Sequence, residues 1–217
     1  MLSRISIPVV RAAMEKPLSS NAFLQFVPKD MSARRRIEFM AGRICAARSL
    51  REMGVGAEFP LPVKDRLPVW PSDVLGSISH CATMAVAMTA RKTRYCALGI
   101  DVEPLIAPNV ALEIQQCICC NEELIGMEKH MPCQVRSLTL LFSAKEALYK
   151  ALFPLVGQFK DFHAAELCEF DVGSVVLRLT HDWNACWRVG TKIRVRYAWL
   201  GLVVVSVVCI PANLWRK

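Results

Sequence analysis

Leu98-Gly99-Ile100-Asp101-Val102-Glu103 is the stretch on which the fold turns, because it reads as a buried strand that brings two acidic side chains to its end. Strand side chains alternate between faces, so Asp101 and Glu103 emerge on one side, about 7 Å apart. Further on, Phe142-Ser143-Ala144-Lys145-Glu146-Ala147-Leu148-Tyr149-Lys150 reads as a helix in which Glu146 and Lys150, at i and i+4, share a face. Three carboxylates and one ammonium from two elements suit a hard divalent cation that holds a phosphate ligand, and magnesium is the natural occupant. Taken singly, each feature also reads as an ordinary surface charge or an exposed helix pair.

With 217 residues, the chain is long enough for one large domain or two small ones, and 53% hydrophobic against 21% charged residues excludes a disordered chain. Twenty-seven basic against nineteen acidic residues leave a formal charge of +8, which favours anionic partners: a polyphosphate cofactor, nucleic acid, an acidic protein or anionic lipid. Ten cysteines suit a disulfide framework in a secreted chain, but Arg4, Pro8 and Arg11 interrupt the first apolar stretch and no leader is legible. Reduced thiols and a cytoplasmic location are expected, with room for peripheral association with a synthetase complex or a membrane. Cys117, Cys119, Cys120 and Cys133, with His130 nearby, raise a zinc reading, yet C-x-C-C lacks the paired spacing of zinc ligands and packing is the favoured role. The apolar run from Ala198 to Ile210 is too short for a membrane-spanning helix, and its valines favour a buried strand.

From Ser32 to Met53 apolar residues recur at helical intervals, with Ser32 as N-cap and Gly54 as stop. Arg35 and Arg43 fall about 80° apart around that helix, within reach of one groove, or else belong to a solvated basic face. A Pro-rich surface loop from Phe59 to Pro71 carries Lys64 and Arg66, then Leu75 to His80 alternates as a strand, and Ala82 to Ala90 is strand or short helix. Pro104 and Pro108 end the acidic strand and lead into a helix near Asn109. Asn121 opens a further helical turn that Gly126 and Pro132 interrupt, and the helix from Ser137 to Leu152 ends before Pro154. Strands are expected at Ser174–Thr180, Trp187–Val189, Ile193–Leu200 and Leu202–Ile210, with turns at Gly190 and Gly201. The layout is α+β: an N-terminal half, 1–98, and a C-terminal half, 99–217, that holds the metal site, together one compact unit.

Gly76-Ser77-Ile78-Ser79-His80-Cys81, the Gly99–Glu103 stretch and the Phe142–Lys150 stretch together resemble the 4′-phosphopantetheinyl transferases. Arg34-Arg35-Arg36-Ile37-Glu38-Phe39, Gly42-Arg43 and Pro68-Val69-Trp70-Pro71 carry the likeness to the enterobactin-synthetase type. The resemblance implies two similar α+β halves related by a pseudo-twofold axis, with coenzyme A in the cleft between them. It implies transfer of phosphopantetheine from coenzyme A to a serine of an apo acyl, aryl or peptidyl carrier domain, leaving adenosine 3′,5′-bisphosphate, with siderophore or other nonribosomal peptide synthesis preferred. By matching positions, Asp101, Glu103 and Glu146 would be magnesium ligands, and Asp101 and Lys150 would also contact coenzyme A. Arg35, Arg43, Ser79 and His80 would hold its phosphates, with Lys64 and Arg66 as further basic contacts. Glu123, or its neighbour Glu122, matches another acidic position, and Phe142 stands where many surfactin-type relatives have tryptophan.

Attack by a serine hydroxyl on a diphosphate requires charge neutralisation, which magnesium would supply, and a proton acceptor, a role that falls first to Glu146 and second to Glu103, with Lys150 on the diphosphate and the leaving group. Ile106 and Val110 are expected on the carrier-docking surface, against ordinary core packing as the alternative. A monomer without a transmembrane segment or a nucleic-acid partner is expected. The rival readings are a magnesium-dependent phosphohydrolase or nuclease and a noncatalytic nucleotide-binding module.

Overall fold

The computed structural model describes residues 2–6, 31–56, 61, 63–64 and 67–215, with the backbone alone at 2–6, 63–64 and 214–215. The chain divides into two units, Met1–Cys96 with Pro211–Lys217, and Ala97–Ile210.

In the first unit, helix α1 (Ala33–Glu52) starts where the Ser32 hydroxyl accepts the Arg35 amide, and it stops before Gly54, whose φ of 70° suits a residue without Cβ. Its buried Met40, Ala41, Cys45, Ala46 and Leu50 pack on an antiparallel sheet of β4 (Val74–His80) and β5 (Met84–Arg91). The stretch that pattern alone left between strand and helix is thus a strand. Strand β1 (Leu2–Ser6) pairs with its other edge, so β5 is the buried middle strand. Within the Pro-rich loop, β2 (Val63–Lys64) and β3 (Leu67–Pro68) form a short antiparallel bridge. Arg66 lies outside the described residues, as does the side chain of Lys64.

The second unit takes in most of β6 (Tyr95–Pro104), then α2 (Pro108–Ile118), α3 (Asn121–Glu128), α4 (Gln134–Val156) and strands β7 (Ala165–Asp171), β8 (Ser174–Leu179), β9 (Lys192–Leu200) and β10 (Val203–Pro211). Its five strands run in the order β6-β10-β9-β8-β7. The valine-rich run is therefore an interior strand with neighbours on both edges, which explains its lack of polar alternation. Gly201, at φ 65°, makes the tight turn that pairs Val203 with Leu200. Gly99 lets β6 approach α4 closely, since a Cβ there would lie 1.9 Å from the Ala147 carbonyl oxygen.

Several local expectations give way to tertiary context. Helix α4 runs through Pro154 and ends at Gly157, whose φ of 69° and amide bond to the Phe153 carbonyl close the last turn. A proline in that position removes only one backbone hydrogen bond near the end of a long packed helix. Gly126 lies inside α3 rather than ending it, on an exposed side with open space around it. Trp187–Val189 is not a strand: Asn184 Oδ1 accepts the Cys186 and Trp187 amides and Asp182 Oδ1 accepts that of Val189, so side chains take the donors a ladder would need. Strand β7, which the sequence pattern did not signal, pairs with β8 through a register shift between Leu167 and Glu169. All ten cysteines are free thiols, and among the described residues no helix is long and apolar enough to cross a membrane.

Candidate active site

The paired acidic residues sit on β6 as the alternation of strand faces predicts, and α4 brings the third carboxylate and the ammonium to them. Asp101 is buried, 1% exposed, and its Oδ1 lies 2.6 Å from the Lys150 ammonium. Burial, reinforced by the Asp101 and Glu146 charges and opposed by Lys150, pushes Glu103 up to about 8. Burial also raises Glu146, against the pull of Lys150 and with Asp101 adding to the rise. These mutual effects put all four groups within electrostatic reach of one another.

Among the described residues no three His, Cys, Asp or Glu side chains form a ready metal-binding group. The donor set nevertheless suits a hard divalent ion, because it is all carboxylate oxygen and its negative charge exceeds what one lysine balances. Burial is the larger cause of the rise at Glu103 and the neighbouring carboxylate charges add to it, so a cation held there would oppose it.

Adjacent positions of α4 have opposite fates. Lys145, 3% exposed, turns inward to Glu123, 4% exposed, at 2.9 Å, and also donates to the Ile118 carbonyl at 2.8 Å. Glu123 in turn accepts the Cys120 amide at the start of α3 and the Leu167 amide of β7. Of the two adjacent glutamates, Glu123 is buried in this polar cluster while Glu122 is exposed. Beside Glu146 opens a cavity of about 110 Å³ lined by Lys145, Tyr149, Phe159, Phe162 and Trp183 among others. Phe142 packs on Phe162 with ring centroids 5.3 Å apart, so the aromatic at that position has a partner. Sequence reading missed Phe159, Phe162 and Trp183, which follow the motif helix without a periodic signal of their own.

In the first unit, Arg35 Nη1 lies 2.6 Å from His80 Nε2, and Glu38 lies 3.5 Å from Arg35 and 3.7 Å from His80 Nδ1. Burial opposes ionisation of Glu38, but Arg34, His80 and Arg35 outweigh it and hold its carboxyl below the usual range. Ser79 is buried on β4, opposite Val86. Arg43 is buried, its guanidinium stands 4.8 Å from the Phe39 ring centre, and desolvation lowers it to about 10. Of the four cysteines considered for zinc, Cys119 is buried and its thiol is pushed up to about 12, while Cys117, Cys120 and Cys133 are exposed.

Comparison with known proteins gives this arrangement its class. Residues 24–90 match the 4′-phosphopantetheinyl transferase N-terminal domain, and residues 97–203 match the 4′-phosphopantetheinyl transferase superfamily. The chain belongs to that superfamily. Among particular relatives, it is 36% identical to enterobactin synthase component D of Salmonella typhimurium over 146 residues, 67% of this chain and 60% of the relative. It is 38% identical to the 4′-phosphopantetheinyl transferase Svp of Streptomyces mobaraensis, over 65% of this chain and 58% of that protein. It is 36% identical to the 4′-phosphopantetheinyl transferase PptT of Mycobacterium tuberculosis, over 62% of this chain and 59% of that protein. The chain thus spans about three fifths of the length of the curated relatives it matches.

Proposed function

We propose that this protein transfers 4′-phosphopantetheine from coenzyme A to a serine of an apo carrier domain, in siderophore or other nonribosomal peptide synthesis, and releases adenosine 3′,5′-bisphosphate. The observation that carries the reading is the meeting of Asp101, Glu103, Glu146 and Lys150 beside an aromatic-walled cavity. A slender amide-bearing arm suits such a cavity, whose wall is mostly apolar in area with Lys145, Glu146, Tyr149, Lys160 and Asp161 as its polar residues.

Asp101, Glu103 and Glu146 are the residues that would hold magnesium. When bound, the ion neutralises charge on the diphosphate oxygens. The serine oxygen forms a bond to the phosphorus that bears the pantetheine arm, and the bond from that phosphorus to the bridging oxygen breaks. Glu146 receives the hydroxyl proton, with Glu103 as the alternative acceptor, and Lys150 hydrogen-bonds the departing phosphate oxygen. Arg35, Arg43, Ser79 and His80, with Lys64 and Arg66, are assigned to the phosphates of coenzyme A. Val110 and Leu112 on α2, 39% and 77% exposed, support an apolar docking surface that continues from Ile106. We assign a cytoplasmic monomer to this role.

Intact mass spectrometry of an apo carrier incubated with the protein, coenzyme A and magnesium tests the proposal. Wild type should add one phosphopantetheine arm per carrier, and Asp101→Ala should largely fail to do so. Release of inorganic phosphate with an unmodified carrier would point to a phosphohydrolase instead.

A further inference from the structure

We propose that the buried Glu123–Lys145 pair is a positioning device that sets the rotation and axial register of α4, and through them the placement of Glu146. The inference rests on the transferase reading for its kinetic consequence, though its structural consequence is independent of that reading.

Lys145 and Glu146 are neighbours on a helix, so their side chains leave the axis about 100° apart. Anchoring one therefore fixes the azimuth of the other. The Lys145 ammonium is tied to the last carbonyl-bearing turn of α2 at Ile118 and to Glu123 on α3. Glu123 accepts from Cys120, at the amino end of α3, and from Leu167 on β7. One ion pair thus links α2, α3, α4 and β7 through four polar contacts at a point from which water is excluded. The apolar face of α4, with Leu138, Leu141 and Leu148 fully buried, supplies adhesion but tolerates small slides. Hydrogen bonds do not tolerate them, since a displacement of about 1 Å breaks an N–H···O contact.

A buried ion pair adds little net stability relative to a well-packed apolar pair, because desolvation offsets the attraction. Its contribution here is register. Lys145 also borders the cavity beside Glu146, so loss of the pair disturbs the cavity wall and the carboxylate together.

The deciding variant is the double exchange Glu123→Leu with Lys145→Met, which keeps volume and removes both charges. Because it also takes the hydrogen-bond partner from the Cys120 and Leu167 amides and the Ile118 carbonyl, its melting temperature should fall, and its crystal structure should show Glu146 displaced relative to Asp101. In carrier modification, kcat should fall at least tenfold while KM for coenzyme A stays within threefold. Glu123→Gln keeps the shape and an acceptor oxygen, so it serves if the double variant does not fold; its kcat should fall at unchanged KM, with faster amide exchange at Leu167. An undisplaced Glu146 and a wild-type kcat in whichever variant folds would overturn the inference. If wild type modifies no carrier, the transferase reading fails, and the displacement of Glu146 alone then decides this one.

Discussion

Lys150 Nζ sits 2.6 Å from Asp101 Oδ1, joining the middle of α4 to a carboxylate that is 1% exposed on β6. Residues 49 positions apart are thereby held as a charge-assisted hydrogen bond at the edge of the acidic site.

Removal of the ammonium should leave Asp101 buried beside two further carboxylates. Lys150→Met is expected to lower stability by about 1–3 kcal/mol, the cost of taking a charged partner from a buried carboxylate at a partly exposed site. Urea denaturation checks this, and magnesium should recover more stability in the variant than in wild type. Carrier modification should fall by a hundredfold or more if, as proposed, Lys150 stabilises the leaving oxygen.

Glu103 gives the metal-free protein a signed pH dependence. Its folded pKa, about 8, lies above the ordinary glutamate value of 4.5. The folded state then binds more protons than the unfolded one between those values, so this group makes stability fall as pH rises from about 4.5 to about 8 and level off above. Thermal melts in the presence of a chelator should show that decline, Glu103→Gln should flatten it, and magnesium should flatten it in wild type. A wild-type slope unchanged in Glu103→Gln would assign the effect elsewhere.

Gly99→Ala tests the contact that sets β6 against α4. The added Cβ would meet the Ala147 carbonyl oxygen at 1.9 Å and the Ala151 amide nitrogen at 2.7 Å, both backbone atoms. Neither can rotate away, so the helix must move. A loss of about 2–4 kcal/mol is expected, toward the upper end of overpacking costs, together with lengthening of the Lys150–Asp101 contact in a crystal structure. Full stability with that contact intact would contradict the steric argument.

Ile106→Asp and Val110→Asp probe the proposed docking surface. Ile106 is half-buried, with its amide donating to Thr139 Oγ1, whereas Val110 is 39% exposed on α2. Both changes should raise KM for the carrier about tenfold, by loss of an apolar anchor worth roughly 1.4 kcal/mol, and leave KM for coenzyme A unchanged. An equal rise in both constants would remove this surface from carrier recognition.

Much of the fold was legible because its signals are local and strong. Ser32 and Gly54 bracket α1, valines mark β10, and the proline pair Pro104 and Pro108 separates β6 from α2. What failed to show were elements whose hydrogen bonds are decided elsewhere. The Trp187–Val189 stretch has strand-like residues, yet Asn184 and Asp182 capture its amides. Strand β7 carries Glu166, Glu169 and Asp171 among its apolar residues and exists because β8 offers it an edge. Pro154 signalled a helix end that packing and the Gly157 cap moved to Val156.

At the site, periodicity alone put Asp101 with Glu103 and Glu146 with Lys150, because alternation on a strand and the 3.6-residue turn are properties of the local backbone. Tertiary packing decided which cation meets which partner: Lys150 goes to Asp101, Lys145 turns inward to Glu123, and Arg43 is buried over the Phe39 ring. Those pairings depend on distances between segments remote in the chain and on how thoroughly water is removed from each, quantities that arise only when the elements pack.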